Sequence, residues 1–333
     1  MASLDIFNND AFSVTQLTKA INDTLHQPTR IGDLGWFSEE PINTTSVFIE
    51  RRGTTLTLIP AAPRGSSGRP ESNDKSRLIP FSTVHLPQRA TVKADEVQGV
   101  RAFGSETEVE TVQNLLNRKL GKMRRNIDVT LEYQRLGAIK GQVLDSDGSS
   151  VLLDLHQAFG TSQGTKDMGL ETDTTKVKQK VVELKRSVED ALGGLTYRSL
   201  RVLCSADFFD ALVGHPAVVK AYDLWMNGQF LRDDQREQGG FYFAGVYWEE
   251  YRGNVGGTAF IEAGAAYAVP EGVPDMFVTH FAPADYMETV NTMGLPYYAK
   301  QELMSFNKGV EVEAQSNPLH LNTRPDAVKK LVI

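Results

Sequence analysis

Ser105-Glu-Thr-Glu-Val-Glu-Thr-Val-Gln-Asn-Leu-Leu-Asn-Arg-Lys-Leu-Gly-Lys-Met-Arg-Arg-Asn-Ile-Asp-Val-Thr-Leu-Glu-Tyr-Gln-Arg-Leu136 contains no proline and opens on a capping box, with Ser105 at the N-cap and Glu108 three residues on. Val109, Val112, Leu116, Leu120, Met123, Ile127 and Leu131 recur at steps of three and four, which makes one apolar stripe. Asn117, Arg118, Lys119, Lys122, Arg124, Arg125 and Asn126 fill the opposite, basic side. Gly137 or Gly141 supplies the stop. The pattern predicts a helix from Glu106 to about Leu136, roughly 45 Å long. Such a length suits a stiff spine better than one layer of a small domain.

On the N-terminal side of this helix lie two β-rich runs, 47–59 and 78–92, separated by the Pro-, Gly- and Ser-rich tip 60–75. Thr55 and Thr57 alternate with Leu56 and Leu58, and Thr83 and His85 alternate with Val84 and Leu86, as in a strand pair with one apolar face. Each limb could reach about 40 Å. A two-stranded ribbon cannot bury its own face, so this face needs a surface from its own domain or from a neighbouring chain. The first 45 residues mix apolar residues with breakers and read as an extended arm carrying one short helix near 13–25, where Leu17, Ile21 and Leu25 fall four apart.

On the C-terminal side, Gly141 to Leu155 reads as a hairpin turning at Asp147-Gly148. A Gly- and Thr-rich link, 160–175, leads to a second amphipathic helix through Val177, Val181, Leu184, Val188 and Leu192, closed by Gly193-Gly194. Leu200 to Cys204 is a short strand, Ser205 caps the next helix, and His215-Pro216 separates it from another. Strands follow over 241–251, 259–269 and 275–282, and a hairpin turns around Asn307-Lys-Gly309.

The 333 residues hold 35 Lys plus Arg against 42 Asp plus Glu, a net charge of −7, with 41% hydrophobic residues and 16 Phe, enough for a sizeable core. One cysteine, Cys204, builds no intrachain disulfide, and no basic segment followed by an apolar run opens the chain, so the expectation is a reducing cytoplasm with no membrane span. The acidic balance argues against gripping nucleic acid as the main task.

Catalytic signatures are missing. Gly160-Thr-Ser-Gln-Gly-Thr-Lys166 lacks the Gly-Lys-Ser/Thr ending of a phosphate loop. His26, His85, His156, His215, His280 and His320 are scattered, without metal-ligand spacing. Asp145, Asp147 and Asp154 flank a turn, and Cys204 sits in an apolar run that makes it inert core. The reading is of no cofactor, no metal and no enzyme. Two basic patches remain, Arg51-Arg52 and the helix residues Lys119, Lys122, Arg124 and Arg125. They are either solvated faces or intersubunit partners for acidic surfaces such as Glu39-Glu40 or Glu249-Glu250.

Asp5-Ile-Phe-Asn-Asn-Asp-Ala-Phe12, Pro28 with Gly35 and Phe37, Ile49-Glu50 before Gly53, Leu56-Thr-Leu-Ile-Pro60, Ile79-Pro80 through Leu86-Pro87, and Ser205 to Phe209 resemble, in that order, the lambda-type major capsid proteins of tailed phages, the capsid protein E family. The resemblance implies an α+β, HK97-like capsid fold. Residues 1–44 would be an N-terminal arm and 45–93 an extended β-hairpin loop lying over an adjacent subunit. Residues 94–172 with 291–333 would be a peripheral domain carrying the spine helix, and 173–290 an axial domain. The partners it implies are further copies in hexamers and pentamers, a scaffolding protein, a portal and a decoration or cement protein. The shell would assemble in the host cytoplasm, expand, and enclose double-stranded DNA without reading its sequence, as part of the virion and with no membrane contact. Intersubunit contact candidates on this reading are Arg51, Arg52, Leu56, Leu58, Phe81, Val84, Leu86, Arg124 and Arg125. Some relatives crosslink a lysine to an asparagine, and no such pair is assignable here. An encapsulin-like compartment protein shares the fold, and a cytosolic hydrolase or transferase built from residues that converge from a distance is the reading from another class.

Overall fold

The computed structural model describes residues 13–23, 29–51, 77–93, 96, 108–226, 240–255 and 257–333. Leu25, the capping box at Ser105, the loop tip and the arm motif 5–12 lie outside them. The chain forms two compact units. One draws on Met1–Val47, Pro80–Arg135 and Val278–His320, the other on Phe48–Ile79, Leu136–Phe277 and Leu321–Ile333.

The first unit is organised by the long helix, which runs Glu108–Lys140. At 1.5 Å per residue it is about 50 Å long. Leu116, Leu120, Met123, Ile127 and Leu131 of the predicted stripe are buried. They pack with Leu17 and Ile21 of the short helix Val14–Asp23 and with Val92, Ala299, Val310, Val312 and Ala314 of a three-stranded sheet. That sheet has the order Tyr298–Leu303, Gly309–Ser316, Leu86–Lys93, antiparallel throughout. A second sheet sets Ser38–Pro41 parallel to Phe277–Phe281, with Pro318–Asn322 on the other side.

The run 78–92 is therefore two strands, not one limb. Arg77–Ser82 pairs with Ser46–Arg51 as the base of the hairpin. The chain then breaks at Thr83 to His85, where Val84 donates its N–H to Pro318 O at 2.8 Å and His85 Nδ1 lies 2.7 Å from Asn317 Oδ1. Leu86–Lys93 joins the three-stranded sheet, with Leu86 opposite Ser316 and Lys93 opposite Gly309.

In the second unit a six-stranded mixed sheet has the order Gly164–Asp167, Lys329–Val332, Ala265–Glu271, Ser199–Cys204, Val246–Glu250, Gly240–Phe243. The inner strands Ala265–Glu271, Ser199–Cys204 and Val246–Glu250 are almost wholly buried. The helix Val177–Leu192 buries Val177, Val181, Leu184, Val188 and Leu192, and Gly193 ends it in the left-handed region (φ 61°). Ser205 caps Ala206–Gly214 by accepting the Phe208 N–H, which sets the Phe208 ring 6.3 Å from that of Trp248 in a stacked pair.

Two local expectations change. The link 160–175 contains the strand Gly164–Asp167, which pairs parallel with Lys329–Val332. The run 241–251 is two strands folded at Ala244-Gly245, both at positive φ. The two compact units part near 136, 278 and 321, and in the second the C-terminal strand lies between Gly164–Asp167 and Ala265–Glu271.

Candidate functional site

At the hairpin base the side chains alternate. Ile79 and Phe81 are buried (Phe81 at 3%), while Leu78, at 63%, and Phe48, at 64%, stand exposed. Phe81, a candidate for contact between subunits, is thus a core residue, because period-two alternation turns it inward. Its outward neighbours carry the exposed apolar surface. Val84 and Leu86 are half-buried, and Leu86 packs against the core under the three-stranded sheet. Arg51 closes the strand Ser46–Arg51, while Arg52, Leu56 and Leu58 lie outside the described residues.

The spine helix holds a buried polar network that the sequence reading passed over. Arg124, expected on the exposed basic side, is 7% exposed. Its guanidinium donates to the carbonyls of Ile21 and Asn22, stacks 4.6 Å over the Tyr297 ring, and sits 3.8 Å from Asp128. Tyr297 donates its hydroxyl to Asp128. One turn on, Glu132 accepts the N–H groups of Ile31 and Gly32 at 2.8 and 3.3 Å. Arg135 pairs with Glu39 at 2.8 Å and lies 5.8 Å from the Phe37 ring. These groups tie the segments 13–23 and 29–41 to the spine helix through charge-assisted bonds, those of Arg124 and Glu132 in a water-poor setting. Lys119 bonds Thr91 O and Glu96, whereas Lys122 and Arg125 are exposed.

The acidic residues considered as partners for other subunits are engaged within their own units. Glu39 holds Arg135, and Glu40 lies 3.5 Å from His280. Glu249 is buried and, with Glu271, brackets Arg201 at 2.8 Å on each side. Glu250 faces Arg252.

The groups considered for chemistry have structural work. Asp147 accepts from Ser149 and Ser150 across its turn. His215 lies 3.1 Å from Thr172 O, and His320 lies 2.9 Å from the Thr279 hydroxyl. Burial drives the Cys204 thiol well above its ordinary range, which suppresses thiolate formation. Among the described residues no group of three His, Cys, Asp or Glu is placed to hold a metal, and no helix is long and apolar enough to cross a membrane.

A spine helix with a sheet beneath it, a hairpin base with exposed apolar side chains, and a second unit built on a mixed sheet form the framework. The family model described as phage major capsid protein E matches residues 13–333. The chain belongs to that family. The major capsid protein of Pseudomonas phage KPP10 is 28% identical over 316 residues, covering 89% of this chain and 90% of that protein. The major capsid protein of Salmonella phage Felix O1 is 25% identical over 347 residues, covering 94% of each. A protein from an E. coli CFT073 prophage, named as a capsid protein, superposes with TM-score 0.61 at 13% identity, over 96% of this chain and 98% of that one. The capsid of the native GTA particle superposes with TM-score 0.51 at 14% identity, over 93% of each chain. The α+β fold of this capsid protein E member is thus HK97-like.

Proposed function

We propose that this chain is the subunit of an icosahedral phage head, assembling from hexamers and pentamers of itself in the host cytoplasm, expanding, and enclosing double-stranded DNA. The observation that carries the reading is the family match over residues 13–333, which spans both compact units. The work is structural, with no catalytic step. Residues 94–172 with 291–333, which carry the spine helix, serve as the peripheral domain, and 173–290 as the axial domain. Residues 1–44 act as the arm, and the hairpin between Ser46–Arg51 and Arg77–Ser82 reaches a neighbouring subunit. Phe48 and Leu78, large apolar side chains left exposed on a two-stranded base, support that role, since such a ribbon gains stability only by burying its face elsewhere. Scaffolding protein, portal and decoration protein are the further partners of this reading.

Size-exclusion chromatography with negative-stain microscopy of the purified chain tests it. Hollow shells, hexamers or pentamers are expected. A small, stable monomer under all assembly conditions would overturn it.

A further inference from the structure

We propose that Arg118, Lys122 and Arg125, on the outward face of the spine helix, form a contact for the phosphate backbone of double-stranded DNA. The inference deepens the shell reading and rests on it, because that reading brings DNA to the chain.

The basic run of the helix divides into two sets. Arg124 is buried and holds Ile21 O and Asn22 O, and Lys119 is taken up by Thr91 O and Glu96. Arg118, Lys122 and Arg125 are exposed, and among the described residues none has a carboxylate within 4.0 Å. Elsewhere in the same unit Arg89 is matched by Glu313 and Glu311, and Lys300 by Glu288, while Lys19, Lys93 and Lys308 are exposed one to each of three other segments and form no such row. In a chain of net charge −7, three adjacent unmatched cations are a local reversal of sign.

Their geometry suits a phosphate line. At 100° and 1.5 Å per residue the three side chains fall within about 60° of the helix circumference and along about 10 Å of its axis. A duplex carries one charge per ~1.7 Å, so about six phosphates pass over that length. The rest of this face argues against a protein partner. Asn114, Asn117 and Asn126 are exposed around the cations, and no large apolar side chain is exposed between residues 114 and 140. A protein interface needs an apolar centre to be stable, whereas a backbone contact needs only cations and hydrogen-bond donors. Three phosphates per subunit give a weak, salt-sensitive contact that holds DNA against a wall without immobilising it.

The test titrates the full-length unassembled chain with a mixed-sequence duplex between about 50 and about 200 mM salt, where each phosphate contact contributes roughly 0.9 to the slope of log K against log salt. Arg118→Gln/Lys122→Gln/Arg125→Gln is expected to flatten the slope by about 2 to 3. Arg118→Lys/Arg125→Lys, which keeps the charge, should retain it. So should Lys176→Gln/Lys178→Gln/Arg186→Gln, an equal charge loss on exposed residues of the other unit. An unchanged slope in the stripe variant, an equal loss in the distant one, or no duplex binding by the wild-type chain would overturn the contact. A preference of the stripe for a polyglutamate peptide over duplex would assign it to an acidic protein and overturn it too. Microscopy of the same preparations separates the two levels. Shells, hexamers or pentamers from both chains leave the capsid reading standing whatever the slopes do, while a small, stable monomer from the wild-type chain under all assembly conditions would remove that reading itself.

Discussion

Glu132, in the middle of the spine helix, accepts the backbone N–H of Ile31 at 2.8 Å, a contact across 101 positions of sequence that sets a carboxylate on the first turn of the short helix Arg30–Leu34. The same carboxylate takes the Gly32 N–H. A buried charge satisfying two backbone donors is a strong anchor, and bonds of this kind contribute about 1.5–3 kcal/mol each. Glu132→Ala is therefore expected to lower the stability of the first unit by about 2–4 kcal/mol, and Glu132→Gln by less, since an amide oxygen still accepts. Urea unfolding measures the loss. Amide exchange at Ile31 and Gly32 should rise in the alanine variant before global unfolding does, and unchanged exchange would show that the anchor lies elsewhere.

Arg124 and Asp128 form a buried pair with side-chain exposures of 8% and 2%, and removing one partner of such a pair costs about 3–5 kcal/mol. Arg124→Met alone is expected to fall in that range, because Asp128 loses its cation and the Ile21 and Asn22 carbonyls lose their donor. Arg124→Met with Asp128→Leu should recover a substantial part of the loss, as an apolar pair of similar volume often replaces a buried ion pair without penalty. A double-mutant cycle on chemical denaturation reads the coupling. Strict additivity would mean that the two residues do not act together.

His320 is fully enclosed, and burial first, then the nearby Arg135 charge, holds its pKa well below the ordinary histidine value. Burial lowers His280 as well, opposed by Glu40, which lies beside it; Glu39, on the same strand, is held by Arg135. The unfolded chain takes up these protons near pH ~6.5 while the folded chain does not. Stability thus falls as pH drops through that value and continues to fall until the folded histidines protonate. His320→Gln removes the larger of the two contributions. Its stability between about pH 7 and pH 5 should decline less steeply than that of the parent. Parallel profiles would exclude His320 as the source.

How far the sequence could be read depended on whether each signal was local. The spine helix was legible because its stripe repeats every turn, and the Asp147-Gly148 hairpin because its turn residues are diagnostic. The break at Val84 was not, since it is set by Pro318 O, more than 230 positions away. Neither was the strand Gly164–Asp167, a polar tetrapeptide that becomes a strand only because Lys329–Val332 lies beside it. The buried network left a trace that periodicity alone discards. Arg124, Asp128, Glu132 and Arg135 are charges spaced one turn apart beside an apolar stripe, the pattern of a helix edge packed on another segment.

Of the two glycines expected to supply the stop, Gly137 continues the spine helix and Gly141, at φ 89°, ends it. Alanine at an exposed helical glycine ordinarily stabilises by about 1 kcal/mol. Here a Cβ would lie 2.9 Å from Gln142 O and 3.0 Å from Val143 Cα, both backbone atoms that cannot rotate away. Gly137→Ala is accordingly expected to destabilise by about 1–3 kcal/mol, overpacking outweighing propensity. Thermal unfolding gives the sign directly, and a raised Tm would show that the strand Gln142–Leu144 yields.

The hairpin can be removed without touching the core only if the cut respects the break at Val84. Replacing 54–75 by a short Gly-Asn turn leaves Ser46–Arg51 and Arg77–Ser82 in place and keeps Leu86–Lys93 in its sheet. That variant is expected to stay soluble, with unfolding close to that of the parent, yet to form no shells by negative-stain microscopy. A deletion extended to Arg89 behaves differently. It takes out Leu86 to Arg89, which pair with Ser316 to Glu313, and the Arg89 ion pair with Glu313, so it should unfold the first unit and aggregate. The contrast carries the inference. If the short deletion still assembles, the hairpin is not an intersubunit clasp; if it aggregates like the long one, the hairpin supports its own chain, and Phe48 and Leu78 need another explanation.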